Sequence, residues 1–272
     1  MPDTLLSVRD LSVSAGDAQV VREVSFELER GGTLGIVGES GSGKSLTCRS
    51  ILGILPPGCE LGTSAAITFD GVELHTLDYE SWLPYRGNRI SAVFQDPGSY
   101  LNPSIAVGRQ LTEVLRVKSR LTRRDARERA VDLLTQMGLR DPARVFKQYP
   151  FELSGGMLQR VLIAIAISGE PDLLIADEAT TALDVTVQAE VLDLLAELRE
   201  RIGLALVLVS HDLAVISQVC DNVVVMRAGE IVERGTTADV LRQPRHEYTK
   251  ALIESHSRYG IEKLRAGEAV RV

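Results

Sequence analysis

Gly38-Glu-Ser-Gly-Ser-Gly-Lys44-Ser45 is the stretch on which the fold turns. It follows a short apolar run, Thr33–Val37, and precedes Lys44–Leu55, whose pattern predicts a helix stopped by Pro56-Pro57. Strand, glycine-rich turn and helix in that order fit the P-loop pattern G-x-x-x-x-G-K-[ST]. The glycines let the backbone N–H groups of Ser40 to Ser45 wrap a phosphate with no Cβ in the way. The helix N-terminus adds its positive dipole end, and Lys44 is placed to reach the β- and γ-phosphates. The Ser45 hydroxyl is the expected partner of Mg²⁺.

Outward from this turn the chain reads as α/β. Toward the N-terminus, Leu5–Val13 and Val20–Glu29 are expected strands separated by Gly16 and bounded by Gly31-Gly32, an antiparallel β region. Further strands are expected at Ala65–Phe69 and Arg89–Phe94. From about residue 98 to 169 the composition shifts to helices rich in Arg, Leu and Ala, a helical subdomain inserted in the core. The core resumes with the buried strand Leu173–Ala176. Val185–Arg201 is an amphipathic helix carrying Val187, Val191, Leu194, Leu195 and Leu198 on one face. Ala205–Val209 is a further strand, and Asn222–Arg227 with Glu230–Arg234 a hairpin around Ala228-Gly229. The tail after Pro244 is expected to be helical at best and to fray. Apolar strands alternating with helices imply a parallel-dominated sheet covered on both faces. The expected division is a domain over residues 1–240, with the insertion at about 98–169, and a short tail over 241–272.

Composition narrows the function. The 272 residues carry 44% apolar and 25% charged side chains and a net charge of -7, a globular balance that disfavours non-specific nucleic-acid binding. The most basic stretch, Arg120 to Arg129, is interrupted by Asp125 and Glu128 and reads as a solvated helix face. Cys48, Cys59 and Cys220 form no C-x-x-C, so neither a disulfide framework nor a zinc site is expected. The start MPDTLLSVRD has no signal-peptide pattern, and the longest apolar run, Val161 to Ile167, is too short for a membrane span. A cytoplasmic location is the expectation.

Two further stretches carry chemistry. Leu173-Leu-Ile-Ala-Asp177-Glu178 is an apolar strand ending in two carboxylates. One carboxylate is needed near Mg²⁺, and the second can orient and deprotonate an attacking water. Strand alternation would send the two side chains in different directions. Leu153-Ser154-Gly155-Gly156-Met157-Leu158-Gln159-Arg160 opens an apolar helix with a small Ser-Gly-Gly turn, another anion-binding N-terminus. A second phosphate cradle makes sense if it faces ATP held by another subunit.

That stretch resembles the signature motif of the ABC ATPases, and its place about twenty residues before the Asp177-Glu178 pair matches that family. Gln95 resembles the Q-loop glutamine, Ala182-Leu183-Asp184 the D-loop, and His211 the switch histidine. The resemblance spans about residues 5 to 235. It implies phosphoryl transfer to water in an ATP-sandwiched dimer, with ATP and Mg²⁺ as cofactors. Glu178 is the implied general base, His211 the γ-phosphate contact, and Ser45, Gln95 and Asp177 the Mg²⁺ set. Lys44 and the loop amides neutralise phosphate charge. The nucleotide set is Gly38, Ser40, Gly41, Ser42, Gly43, Lys44, Ser45 and Leu46. Ser154, Gly155, Gly156, Gln159 and Asp184 are the implied contributors around the signature and D-loop.

Three positions depart from the family pattern. Ser14-Ala15-Gly16 stands where an aromatic usually stacks on adenine, so affinity is expected to lean on phosphate contacts. Ala179 replaces the usual proline, and Met157-Leu158 a more polar pair. Within the family, Gln95-Asp-Pro-Gly-Ser-Tyr-Leu-Asn-Pro103 and His246-Glu-Tyr-Thr249 resemble the peptide/nickel importer ATPases. Ser45-Leu-Thr-Cys48, Leu52-Gly-Ile-Leu-Pro56, Tyr149-Pro-Phe-Glu152 and Gly156-Met-Leu-Gln-Arg160 are similar to the D-type ATPase of the nickel importer. The resemblance thus implies import of nickel or a nickel–metallophore complex, with dipeptides or oligopeptides as the alternative. A soluble ABC ATPase acting on nucleic acid or the ribosome is the remote one. It also implies a second homologous ATPase subunit, two membrane-spanning permease subunits and an external solute-binding protein. Attachment would be peripheral, at the cytoplasmic face of the inner membrane.

Overall fold

The computed structural model describes residues 3–180 and 183–256. Ala182 of the expected D-loop and the last part of the expected tail lie outside them. The chain divides into two compact units, one built from residues up to Leu83 together with those from Ala205 onward, the other from Pro84–Leu204.

In chain order, the first unit opens with strands β1 (Thr4–Ala15), β2 (Ala18–Glu29) and β3 (Thr33–Val37), helix α1 (Lys44–Ile51), and strands β4 (Cys59–Leu61), β5 (Ala66–Phe69) and β6 (Val72–Glu73), then the short helix α2 (Tyr79–Trp82). The second unit holds β7 (Ile90–Val93), α3 (Val107–Ser119), α4 (Arg123–Gln136), α5 (Pro142–Val145), α6 (Gly155–Ile167), β8 (Leu173–Asp177) and α7 (Val185–Ile202). The chain then returns to the first unit with β9 (Ala205–Ser210), α8 (Leu213–Val219), β10 (Asn222–Arg227), β11 (Glu230–Thr236), α9 (Thr237–Arg242) and α10 (Glu247–His256). This is the expected α/β class.

The antiparallel region of the first unit follows the order β2-β1-β5-β6, with β4 also on β1. Its register sets Val8 opposite Phe26 and Ile67, and Val13 opposite Val21 and Leu61. Leu5, Leu6, Val8, Leu11, Val13, Ile67 and Phe69 are fully buried, so the apolar residues of β1 fill a core on this sheet. A second set of strands in the same unit runs β11-β10-β3-β9, with β3 parallel to both β10 and β9 and β11 antiparallel to β10. Helix α8 packs so closely on β3 that a Cβ at Gly35 would lie 2.2 Å from Ile216 Cγ2. In the second unit β7 and β8 are parallel, with Val93 opposite Ala176. Among its described residues, helices and short turns occupy residues 97–169, as the composition shift implies.

Several boundaries differ from expectation for identifiable reasons. Helix α1 ends at Ile51, before the prolines, because Gly53 takes φ 62°. The Gly53 N–H bonds Ser50 O and the Ile54 N–H bonds Arg49 O, the paired closure of a Schellman cap. Strands β4 and β6 are three and two residues long and carry no readable alternation. On α7, Val187 is half-buried whereas Leu192 is buried with Val191, Leu194, Leu195 and Leu198. The segment after Pro244 does not fray where it is described. Tyr248, Leu252 and Ile253 of α10 are buried, and the helix packs on α8.

Candidate active site

The P-loop runs from the end of β3 into α1, within the first unit. Gly43 caps α1 in the left-handed region at φ 101°, and Gly41 turns the loop at φ 82°. Gly38 has no room for a side chain, since a Cβ there would meet Met226 O at 2.1 Å and Ser42 Oγ at 2.8 Å. Glycines at these places follow from the backbone path and are not interchangeable with other small residues. The buried Lys44 ammonium donates to Gly38 O at 2.8 Å and Glu39 O at 2.9 Å. These carbonyls hold the cation at the loop. Ser42 is 2% exposed, and its hydroxyl has no hydrogen-bond partner among the described residues. An orphaned buried hydroxyl beside a lysine and a helix N-terminus is a group prepared for an anion. Donor set and cradle both fit a polyphosphate.

The loop is braced by groups that sequence reading missed. The Gly229 N–H, from the β10–β11 turn, donates to Ser42 O at 3.1 Å, and the Arg22 N–H donates to Gly229 O at 2.8 Å. Ala228 and Gly229 both take positive φ, 48° and 87°, the tight hairpin geometry the pair predicted. Tyr248 of α10 accepts the Glu39 N–H at 2.9 Å. Burial pushes the Tyr248 phenol above its ordinary pKa, against the opposing pull of that hydrogen bond. His211, also in this unit, follows β9 and is exposed. Its turn is fixed by Ser210 Oγ accepting the Asp212 N–H at 2.9 Å and by Asp212 capping α8 at 2.7 Å.

The remaining expected residues lie in the second unit. Asp177 is the last residue of β8 and 5% exposed. Glu178 is half-buried and already in a turn, at φ 49°. The two carboxylates are therefore separated by a left-handed turn and not by strand alternation. A residue other than glycine held there costs roughly 1–3 kcal/mol, strain of the sort kept at working sites. Ala179 and Thr180 behind it are buried, and Thr180 Oγ1 accepts from Gln188 Nε2 at 3.0 Å. Gln95 is exposed just after β7, in a loop where Asp96 accepts from Gly98 N and Ser99 Oγ and Phe94 stacks on Tyr100 at 5.2 Å.

Ser154 caps α6 by accepting the Met157 N–H at 3.4 Å, and Asp184 caps α7 by accepting the Val187 N–H at 3.0 Å. These two helix starts meet: a Cβ at Gly156 would lie 2.3 Å from Val187 Cγ1, and one at Gly155 3.5 Å from Leu183 Cδ2. The structure thus brings the Ser-Gly-Gly turn and Asp184 together. Arg160 ties α6 to α7 by donating to Glu190 at 2.8 Å, and to the end of α4 by donating to Met137 O at 2.6 Å. Gln159, expected beside nucleotide, is fully buried, and neither polar atom of its amide has a partner among the described residues. Its place on α6 points it inward, away from the exposed Ser154-Gly155 mouth. No helix among the described residues is long and apolar enough to cross a membrane.

Residues 21–181 match the family model described as ABC transporter. The dipeptide transport ATP-binding protein DppD of Bacillus subtilis (strain 168) is 46% identical over 95% of this chain and 78% of its own length. The metal-staphylopine import system ATP-binding protein CntD of Staphylococcus aureus (strain NCTC 8325 / PS 47) is 41% identical over 93% of each chain. Among solved structures, a dimeric ATP-binding cassette in a post-hydrolysis state bound to ADP and Pi aligns with a TM-score of 0.75 at 26% identity. That alignment covers 86% of this chain and 99% of the other. The chain belongs to the ABC transporter family, as an ATP-hydrolysing subunit of its peptide/nickel-type importer group.

Proposed function

We propose that this chain powers the import of nickel or a nickel–metallophore complex by hydrolysing ATP within a sandwiched dimer of ATPase subunits. The observation that carries the ATPase chemistry is the P-loop itself, with Lys44 held on loop carbonyls and a buried Ser42 hydroxyl awaiting a partner. Lys44 and the loop amides bind the β- and γ-phosphates, and Ser45, Gln95 and Asp177 are the residues to hold Mg²⁺, which supplies charge neutralisation at the transferring group. Glu178 takes a proton from the attacking water, and His211 contacts the γ-phosphate. Ser154, Gly155 and Gly156, with Asp184 alongside, serve the ATP of the opposing subunit. Partners are a second homologous ATPase, two permease subunits and an external solute-binding protein, placing the chain at the cytoplasmic face of the membrane. Residues 98–169 act as the helical subdomain that meets the permease, within an ATPase domain over 1–240.

Support for the metal reading comes from Ser45–Cys48, Leu52–Pro56, Tyr149–Glu152 and Gly156–Arg160, and from a metal-staphylopine relative. A second reading, peptide import, is supported by the dipeptide relative at 46% identity. Radiolabelled nickel uptake in cells lacking the chain, restored with wild type or Glu178→Gln, decides between them. Recovery with wild type alone supports nickel and assigns hydrolysis to Glu178. The purified variant is expected to bind ATP while turnover falls at least about 100-fold. Uptake unaffected by deletion overturns the nickel reading, and dipeptide uptake in the same cells then tests the second.

A further inference from the structure

Helix α10 reaches the P-loop through one side chain. The Tyr248 hydroxyl accepts the Glu39 N–H at 2.9 Å, and the carbonyl of the same Glu39 accepts Lys44 Nζ at 2.9 Å and the Ser42 N–H at 3.1 Å. Tyr248 therefore stands one residue from the group that aims the phosphate-binding lysine. The tyrosine is itself held from several sides. Its N–H donates to His246 Nδ1 at 3.1 Å, and the Arg227 guanidinium lies over its ring at 5.0 Å. Glu233 of β11 accepts the Arg245 and His246 N–H groups at 2.7 and 3.0 Å, fixing the entry to α10. Buried Leu252 and Ile253 seat the helix. Four parts of one unit (β10, β11, α8 and the start of α10) converge to place one phenol oxygen on one loop amide.

We propose that Tyr248 is a positioning residue for nucleotide binding: by tying the Glu39 amide it fixes the Gly38–Glu39 peptide plane and with it the Gly38 carbonyl, which together with the Glu39 carbonyl holds the Lys44 ammonium in the geometry that receives the β- and γ-phosphates. Glu39 is exposed, so without the tyrosine its amide is free to turn toward water and the loop samples other shapes. The effect belongs to binding, not to the chemical step, because Tyr248 touches no reacting atom. The inference rests on nucleotide binding at this loop, which titration of the wild-type chain checks directly.

The test is equilibrium titration of the purified full chain with a fluorescent ATP analogue, alongside thermal unfolding without nucleotide and steady-state ATPase kinetics. Tyr248→Phe keeps the ring, its burial and the Arg227 contact and removes only the acceptor oxygen. The expected result is a Kd and KM raised about three- to tenfold, the worth of one such hydrogen bond, with kcat within about twofold of wild type. Thr237→Val is the control. It removes a buried hydrogen bond of the same unit, Thr237 Oγ1 to Cys220 O at 2.6 Å, away from the loop. It is expected to lower the Tm with Kd unchanged. A Tyr248→Phe chain with lowered Tm but wild-type Kd and KM overturns the proposal and leaves the tyrosine a fold contact only. An equal loss of affinity in Thr237→Val overturns it too, since any destabilisation of the unit would then suffice. Failure of the wild-type chain to bind the analogue refutes the nucleotide site and the role of Tyr248 with it, whereas wild-type binding matched by Tyr248→Phe overturns the role of Tyr248 alone.

Discussion

Ser42→Ala moves stability and binding in opposite directions, a result that a general loosening of the P-loop cannot produce. The residue is 2% exposed and its hydroxyl has no partner among the described residues, so the nucleotide-free protein carries the desolvation cost of an unmade hydrogen bond. That cost is about 1–3 kcal/mol, and the alanine methyl removes it while leaving only a small void. Taking about 1.5 kcal/mol, and roughly 2–4 °C per kcal/mol for a chain of this size, the Tm without nucleotide rises by about 3–6 °C. With nucleotide the balance reverses. A hydrogen bond to a charged oxygen is worth at least about 1.4 kcal/mol, so its loss weakens binding about tenfold or more. At a nucleotide concentration about 100 times the wild-type Kd, ligand stabilisation drops from about 2.7 to about 1.4 kcal/mol, half the increment. Differential scanning calorimetry with and without an ATP analogue reads both quantities on one sample. A lowered Tm in the nucleotide-free variant, or an undiminished nucleotide increment, refutes the reasoning.

Two further substitutions test the second unit. Gly156→Ala places a Cβ where Val187 Cγ1 sits 2.3 Å away, and is expected to cost about 1–3 kcal/mol of stability; Val187→Ala in the same chain should recover most of it, and additive losses would remove the contact as the cause. Lys118 is held by burial below its ordinary pKa, so between that lowered value and the usual lysine range the unfolded form binds more protons, and stability climbs as pH rises across that window. Lys118→Met should raise the Tm at neutral pH and lose that advantage in alkaline buffer, as followed by thermal melts across pH; a gain independent of pH would assign it to packing alone.

The readability of this chain from its sequence tracks how local each determinant is. The P-loop is legible because its demands are met within eight residues: glycine where φ is positive or a carbonyl presses close, lysine and serine at fixed offsets. The longer strands of the first unit, β1, β2 and β3, and the Ala228-Gly229 hairpin are legible for the same reason. The end of α1 is not legible, since Gly53 closes the helix through carbonyls that its last turn supplies, whereas the prolines after it are the stronger sequence signal. Gln159 enters the nucleotide set only through the signature resemblance, and the structure buries it on α6. The contacts of Tyr248, Gly229 and Met226 with the P-loop are not legible, since each spans most of the chain and no periodicity marks such a contact.

The separation of Glu39 from Tyr248, 209 residues, also sets a timetable. A nascent chain leaves the ribosome at about 5–20 residues per second, so about 10–40 s pass between synthesis of the P-loop and of the phenol that braces it. For most of that interval the loop lacks both Tyr248 and the hairpin turn at Gly229. The chain is born with its nucleotide cradle unbraced and completes it only 209 residues after Glu39. Truncated products of interrupted synthesis would therefore carry the whole motif and yet lack its supports, leaving them poor competitors for cellular ATP.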